Sequence, residues 1–395
     1  MENKDLSELD LRLLHDFYHE LGIKYPEVLT SYTVFLRNLR AQLHPIGTPD
    51  YRKARLDNGL VFEVDVGDRL GCDFYYGIHS EYIDSTIFRR MVSPDSVLFD
   101  IGANFGYYAI SSASIPDFKG IVHAFEPNDA AFELLERNIL ANGLAERIVA
   151  HRCAVGNQIG SVPFYLAAES SFSGLYDTRR SNIRGLSTVP ISTIDDFVEK
   201  QNLEKLDLIK VDVEGLECEV LQGAATTIRK NLNIFIQIEI APKNLDQSRL
   251  RALAAELKVL YEFGFIGSYV DTQEWRLVRL DDVDDLLSLK NGINLFLVKG
   301  GSDAAGRLQA IAAELLRKET KMAFHSRQLT FSQLALEPGA FSQIFISREM
   351  QHMRDVMVSL NASAAYWREQ ANKNIFSIMM ARLRRFLRSG DDKSV

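Results

Sequence analysis

Three cysteines in 395 residues are too few for a disulfide framework, and Cys72, Cys153 and Cys218 stand singly, without the paired spacing that binds zinc. Buried free thiols are what this usage predicts. No apolar run approaches the ~20 residues needed to cross a bilayer. No early segment couples a basic start to an apolar stretch and a small-residue cleavage site. A cytoplasmic protein, neither exported nor membrane-spanning, is the expectation. A basic surplus is missing too: 45 Lys and Arg stand against 53 Asp and Glu, and residues 1–300 carry 31 against 44. An acidic body of this kind disfavours nucleic-acid binding. What is present is ordinary core-forming material, 46% hydrophobic and 25% charged, enough for one main domain plus extensions.

Periodicity divides the chain into three. In residues 1–50, Leu6, Leu9, Leu13, Leu14, Phe17 and Leu21 recur at helical spacing, and the pattern returns from Val34 to Leu43 until His44-Pro45-Ile46-Gly47 stops it. The segment 51–300 opens with an alternating strand at Leu60–Val66 and a second extended stretch at Asp73–Gly77. From Val97 strands and helices alternate: strands near 97–101, 121–125, 148–153, 206–211, 234–240, 263–270 and 293–298, with helices over 129–142, 216–225 and 247–261. Between 155 and 194 two strands, Ser161–Leu166 and Thr188–Ile191, flank a polar loop, Glu169–Arg184, long enough to serve as a lid or substrate loop. This is the pattern of an α/β fold with a mostly parallel sheet, helices on both faces, and ligands at the carboxyl ends of strands.

Residues 301–395 are read as a helical extension, amphipathic over Ala304–Ala323 and rich in apolar, Arg, Glu and Gln positions over Phe341–Met380, with 14 Lys and Arg against 9 Asp and Glu. Arg382, Arg384, Arg385 and Arg388 interleave with Leu383, Phe386 and Leu387. The stretch 341–388 is therefore assigned a docking or homo-oligomer contact, with a peripheral membrane helix or a plain solvated tail as alternatives.

The chemistry concentrates in two places. Val97-Leu98-Phe99-Asp100-Ile101-Gly102-Ala103-Asn104-Phe105-Gly106 runs an apolar strand into a glycine-punctuated turn and a helix, which suits a nucleotide-like cofactor. A third glycine for a dinucleotide fingerprint and a lysine for a phosphate loop are both missing. Glu126 ends the next strand, 26 positions after Asp100, where an acid accepts hydrogen bonds from ribose hydroxyls. A glycine turn plus ribose acid without a phosphate grip suits S-adenosylmethionine, and the plain alternative is a tight turn with an unrelated acid downstream. Further on, Ile209-Lys210-Val211-Asp212-Val213-Glu214-Gly215 delivers two carboxylates after a buried strand, and Glu239 ends the neighbouring one. Asp212, Glu214 and Glu239 suit a general base on a substrate hydroxyl; a divalent metal is the less favoured use, and simple helix caps are the bland one. Lys210 is either an inward group of shifted pKa or, preferred, an ion-pair partner of a neighbouring acid.

Asp100-Ile101-Gly102-Ala103-Asn104-Phe105-Gly106, Phe125-Glu126-Pro127-Asn128, Thr193-Ile194-Asp195, and Ile209 to Gly215 followed by Val220-Leu221-Gln222-Gly223-Ala224, in this order, resemble the FkbM family of methyltransferases. The resemblance spans about residues 80–300. It implies a class I, Rossmann-like methyltransferase fold using S-adenosyl-L-methionine on a hydroxyl oxygen of a sugar or natural product. It further implies cofactor contacts from Asp100, Gly102, Ala103, Asn104, Gly106 and Tyr107, a ribose grip by Glu126 beside Pro127 and Asn128, and an adenine wall at Cys153 and Ala154. Glu81 resembles an acid that receives the cofactor's amino group, with simple surface exposure as its other reading. The roles of Asp212, Glu214, Glu239 and Lys210 come from their placement alone. A saccharide is the preferred acceptor, because Ser170-Ser171-Phe172-Ser173-Gly174 offers hydroxyls and a basic helical tail suits glycan assembly near a membrane. A polyketide or other small-molecule hydroxyl is the alternative. A non-catalytic scaffold acting through its C-terminal helices and a nicotinamide dehydrogenase are the other classes; the intact acids disfavour the first and the missing glycine the second.

Overall fold

The computed structural model describes residues 8–10, 47–56, 59–75, 81–176, 181–242, 245–271, 276–289 and 291–326. Strands β1 (Glu8–Asp10), β2 (Tyr51–Arg55) and β3 (Val61–Asp65) form a small sheet, β1 parallel to β2 and β2 antiparallel to β3. The helical reading of residues 6–43 is thus corrected at 8–10, where pairing with the open edge of β2 outweighs the apolar spacing; the remainder lies outside the described residues. β3 buries Phe62 and Val64 on one side, as its period-two pattern requires.

Residues 73–75, read as extended, instead end helix α1 (Arg69–Tyr75). The Asp68 carboxylate accepts from Leu70 N at 2.9 Å and starts the helix, while Cys72 and Phe74 turn inward. A good N-terminal acceptor and a buried face override the strand preference of the aromatic residues. After α2 (Tyr82–Met91) comes the predicted alternation: β4 (Val97–Ile101), α3 (Tyr107–Ala113), β5 (Ile121–Phe125), α4 (Asp129–Ala141) and β6 (Ile148–His151). Asn138 on α4 is fully buried; it takes Glu63 N on Oδ1 at 2.6 Å and donates from Nδ2 to the carbonyls of Glu63 and Phe105 at 2.9 Å. One turn later Asn142 repeats the pairing with both main-chain groups of Val61. Two side-chain amides thus satisfy the edge of β3 in place of another strand.

The interruption at 155–194 is a second small sheet, β7 (Ala154–Val155), β8 (Gly160–Ala167) and β9 (Ile183–Ser192), in the order β7-β9-β8. Then follow α5 (Ile194–Lys200), β10 (Leu208–Val211), α6 (Glu217–Gln222), α7 (Ala225–Lys230), β11 (Phe235–Ile240), α8 (Gln247–Glu262), β12 (Phe265–Asp271), β13 (Arg276–Leu280), β14 (Ile293–Lys299) and α9 (Asp303–Ser326). The single helix expected over 216–225 is two, broken at Gly223, where a Cβ would lie 2.0 Å from the Gly156 carbonyl oxygen. β13 was not anticipated; its short, half-exposed Arg-Leu-Val-Arg-Leu run is an edge strand with a weak pattern.

The main sheet has the order β13-β12-β14-β11-β10-β4-β5-β6. β6, β5, β4, β10 and β11 are mutually parallel, and β14 runs antiparallel between β11 and β12. This is a Rossmann-like α/β arrangement. Its central strands are buried on both faces: Leu98, Phe235 and Phe296 pack to one side, Phe99, Ile209 and Val211 to the other. From β4 the chain winds outward to β5 and β6 and later returns as β10 on β4's other side, so a crevice opens at the carboxyl ends of β4 and β10.

Helix α9 packs on this body. Leu308, Ile311, Ala312 and Leu316 join the core that contains Phe88 and Met91, and Arg90 pairs with Glu314 at 2.6 Å. Each large apolar side chain so buried contributes about 1.5–3 kcal/mol. The tail, including 341–388 and its arginines, lies outside the described residues. Among the described residues no helix is long and apolar enough to cross a membrane.

Candidate active site

The glycine turn is shaped first by packing. Gly102 has φ 80°, and a Cβ there would sit 1.8 Å from the carbonyl oxygen of Asp212, so the tips of β4 and β10 touch only because residue 102 has no side chain. Gly102 N and Ala103 N both donate to Phe125 O, at 2.9 and 3.0 Å, tying the turn to β5. Asn104 is itself left-handed at φ 49°, which brings its N–H to Glu126 Oε2 at 2.8 Å. The other oxygen, Oε1, takes Asn128 N at 2.8 Å. Burial raises Glu126 to about 7, and the two main-chain donors pull it back toward the ionised form. Both oxygens keep further acceptor capacity.

Across the crevice lies a cluster of acids around one cation. Lys210 is buried and reaches Asp212 Oδ2 at 2.8 Å, the ion pair preferred from sequence. Its Nζ also sits 4.7 Å from the centre of the Tyr108 ring. Burial opposes its charge, yet Asp212, Asp100 and Glu81 together hold the ammonium above its ordinary value. Glu239, at the tip of β11, hydrogen-bonds to Asp212; the Asp212 charge first and burial second push its carboxyl well above the usual range. Glu81 is half-buried rather than on the surface, and its Oε2 accepts the Tyr108 hydroxyl at 3.0 Å. Burial first, then Asp212, raise its pKa. Glu214 occupies the left-handed region at φ 51°, directly before Gly215 at φ 112°. Among the described residues Glu214 and Asn104 are the two cavity-lining non-glycine residues with positive φ.

These residues share one cavity of about 330 Å³. Gly102, Ala103, Asn104 and Tyr107 line it with Glu81, Glu126 and Pro127; Cys153 and Ala154 close one end; Lys210, Asp212, Glu214 and Glu239 form the opposite wall. Burial lifts the Cys153 thiol to about 11, so it is a neutral wall group. Three expected cofactor residues stand behind the cavity rather than in its lining. Asp100 accepts Ala109 N at 2.9 Å and braces α3, Gly106 packs against Leu135 and Ile110, and Asn128 caps α4 through Ala130 N and Ala131 N. Among the described residues no three His, Cys, Asp or Glu side chains are grouped to hold a metal ion.

The loop after β8 forms a roof. Asp68 accepts both the N–H and the hydroxyl of Ser171, at 3.0 and 3.1 Å, Arg69 pairs with Glu169 at 3.3 Å, and the Arg69 guanidinium lies over the Phe172 ring. At its far side Tyr176 stacks on Arg249 and donates to Glu219. Sequence reasoning placed a lid or substrate loop here, with Phe172 in it, but missed Arg69 and Tyr108 as cavity residues, because their positions depend on contacts distant along the chain. Gln237 was also missed, although a glutamine inside Phe-Ile-Gln-Ile-Glu-Ile was a visible signal.

Residues 100–284 match the model of the Methyltransferase FkbM domain. The chain is 28% identical over 156 residues to the hexuronic acid methyltransferase AglP of Haloferax volcanii, covering 40% of this chain and 61% of that protein's length. It is 27% identical over 215 residues to the 2-O-methyltransferase NoeI of Sinorhizobium fredii, covering 50% of this chain and 86% of NoeI. It is likewise 27% identical over 201 residues to the 31-O-demethyl-FK506 methyltransferase FkbM of Streptomyces tacrolimicus, covering 43% of this chain and 74% of the relative. The crystal structure of methyltransferase FkbM from Methylobacillus flagellatus aligns at 19% identity with a TM-score of 0.36, over 57% of this chain and 52% of that one.

Proposed function

We propose that this chain, whose residues 100–284 match the model of the Methyltransferase FkbM domain, is an S-adenosylmethionine-dependent O-methyltransferase whose acceptor is a saccharide hydroxyl. The observation that carries this reading is that one cavity joins the Gly102 turn and Glu126 to the acids Asp212, Glu214 and Glu239. The residues fit the donor. Glu126 is a buried carboxylate fixed by two main-chain N–H groups and free to accept from both hydroxyls of a ribose. Glu81 caps no helix with its side chain, which leaves its carboxylate to accept from an ammonium group. Bound S-adenosylmethionine supplies an electrophilic methyl on a sulfonium centre. Catalysis by the chain is then largely placement, with proton removal added.

The proton has a defined destination. Lys210 pairs with Asp212 at 2.8 Å, and the Asp212 charge first and burial second raise the neighbouring Glu239. Two carboxyl groups in hydrogen-bond contact titrate as one unit, and that unit is the base that accepts a proton from the acceptor hydroxyl. Glu214, on its strained turn, is placed to orient that hydroxyl. The saccharide preference draws support from the name of AglP, which specifies a hexuronic acid; a small-molecule hydroxyl is the second reading, supported by the relative that acts on 31-O-demethyl-FK506.

Calorimetry of the full chain with S-adenosylhomocysteine and, separately, with NAD tests the donor: binding of the first alone is expected, and its failure to bind ends this reading. Mass spectrometry of glycans from cells with and without the protein tests the acceptor. One missing methyl group is expected; unchanged glycans with an altered small-molecule profile favour the second reading.

A further inference from the structure

Behind the cavity wall a line of buried polar side chains crosses from α2 to α3. Asp84 receives a hydrogen bond from the Asn294 side chain. Asn294 Oδ1 accepts from Gln237 Nε2 at 2.9 Å, the same Nε2 donates to the Tyr108 oxygen at 2.9 Å, and the Tyr108 hydroxyl meets Glu81 Oε2 at 3.0 Å. The ends fix the direction. Asn294 gives its N–H to Asp84, so its oxygen faces Gln237; an amide nitrogen only donates, so Gln237 fills the acceptor side of Tyr108 and the phenolic proton is left for Glu81. Gln237 is fully buried among Phe235, Ile236 and Ile238 of its strand, and its Oε1 has no partner among the described residues. An unsatisfied buried acceptor is costly, so an aliphatic side chain would serve the sheet better. What Gln237 does accomplish is to set Tyr108.

We propose that Tyr108, oriented by Gln237, is the positioning residue that presents the Glu81 carboxylate to the cavity as an acceptor for the donor's ammonium group. For the identity of the ligand this rests on the methyltransferase reading above; the link from Tyr108 to Glu81 stands without it. The Tyr108 ring has a separate task, lying under Lys210 and edge-on to Phe88 at 5.3 Å. Tyr108→Phe keeps the ring and removes only the hydroxyl, so it isolates the hydrogen bond.

Two measurements on the full chain decide the matter. The first needs no ligand: carboxyl NMR of Glu81, assigned with Glu81→Gln. Asp84 on α2, Tyr107 and Tyr108 on α3, Lys210 and Asp212 at β10 and Glu239 on β11 act electrostatically on or with Glu81. Tyr108→Phe leaves those charges in place and deletes one donor to the ionised form, so the Glu81 midpoint rises; an unmoved midpoint overturns the proposal. The second is a double-mutant cycle on S-adenosylhomocysteine affinity. Tyr108→Phe is expected to weaken binding about tenfold in the natural background and less than twofold in Glu81→Gln. Equal losses in both would assign Tyr108 a structural role and sink the proposal. Gln237→Met repeats both measurements one step back, with smaller effects of the same sign, and stands in if Tyr108→Phe fails to fold. If the unaltered chain does not bind S-adenosylhomocysteine, the methyltransferase reading falls, and the Glu81 titration still judges Tyr108.

Discussion

Glu126 and the Asp212–Glu239 pair are carboxyl groups on opposite walls of one cavity, yet they are held by different means. Main-chain N–H groups of Asn104 and Asn128 grip Glu126, while side-chain charges on Lys210, Glu81 and each other set Asp212 and Glu239. A main-chain grip fixes geometry and cannot change charge. A grip made of titratable side chains can pass protons along. The first arrangement suits a binding wall and the second a chemical one.

The comparison can be broken at its strongest point. Asp212→Asn is expected to lower methyl transfer by about 100-fold or more while S-adenosylhomocysteine affinity, measured by calorimetry, changes little; unchanged turnover would remove Asp212 from the chemistry. Gly102→Ala forces a Cβ against the Asp212 carbonyl oxygen, and should cost about 3 kcal/mol in denaturant unfolding. A mild effect would show that the strand tips can part. Glu126→Gln places an amide donor against a main-chain donor and should weaken S-adenosylhomocysteine binding about tenfold, with affinity near that of the unaltered chain counting against a ribose role.

Proton linkage sharpens the contrast. Glu126 stands at about 7 in the fold, above its ordinary 4.5, so the folded chain holds its proton over that window. As pH falls from 7 toward 4.5, ligand affinity should therefore drop, because the ionised acceptor is lost, while the contribution of Glu126 to fold stability rises. Parallel calorimetry and unfolding curves would reveal these opposite slopes. The smallest effect is an ordering: Asp212→Asn should lower the titration midpoint of Glu239 most, Glu81 less and Glu126 least, since Asp212 leads the influences on the first, follows burial for the second and ranks behind burial and both main-chain donors for the third. A large movement of Glu126 would erase the distinction between the walls.

Much of this layout was legible before any coordinates. The alternation from Val97 to Val298 marks a sheet buried on both faces, and acids at the ends of apolar strands are local signals, so Glu126, Asp212 and Glu239 could be named. Reasons that depend on distant partners were not legible. Gly102 read as a ligand approach and lines the cavity, but that its absent side chain also admits the Asp212 carbonyl was out of reach. Asp73–Tyr75 read as extended because nothing nearby announced that Asp68 would cap a helix and also hold Ser171. Asp100 and Asn128 lie within recognisable motifs yet spend their side chains bracing α3 and α4. Tyr108 became visible only once Gln237 and Glu81, 129 and 27 positions away, met its hydroxyl.

The carboxamide of Asn138 has a mechanical consequence. Because it grasps Phe105 at the end of the glycine turn and Glu63 in β3, the cavity's glycine turn and the β1-β2-β3 sheet are riveted together. A disturbance of β3 would therefore reach the glycine turn by two routes, this amide and the Phe62 ring packed on Phe105 and Tyr107.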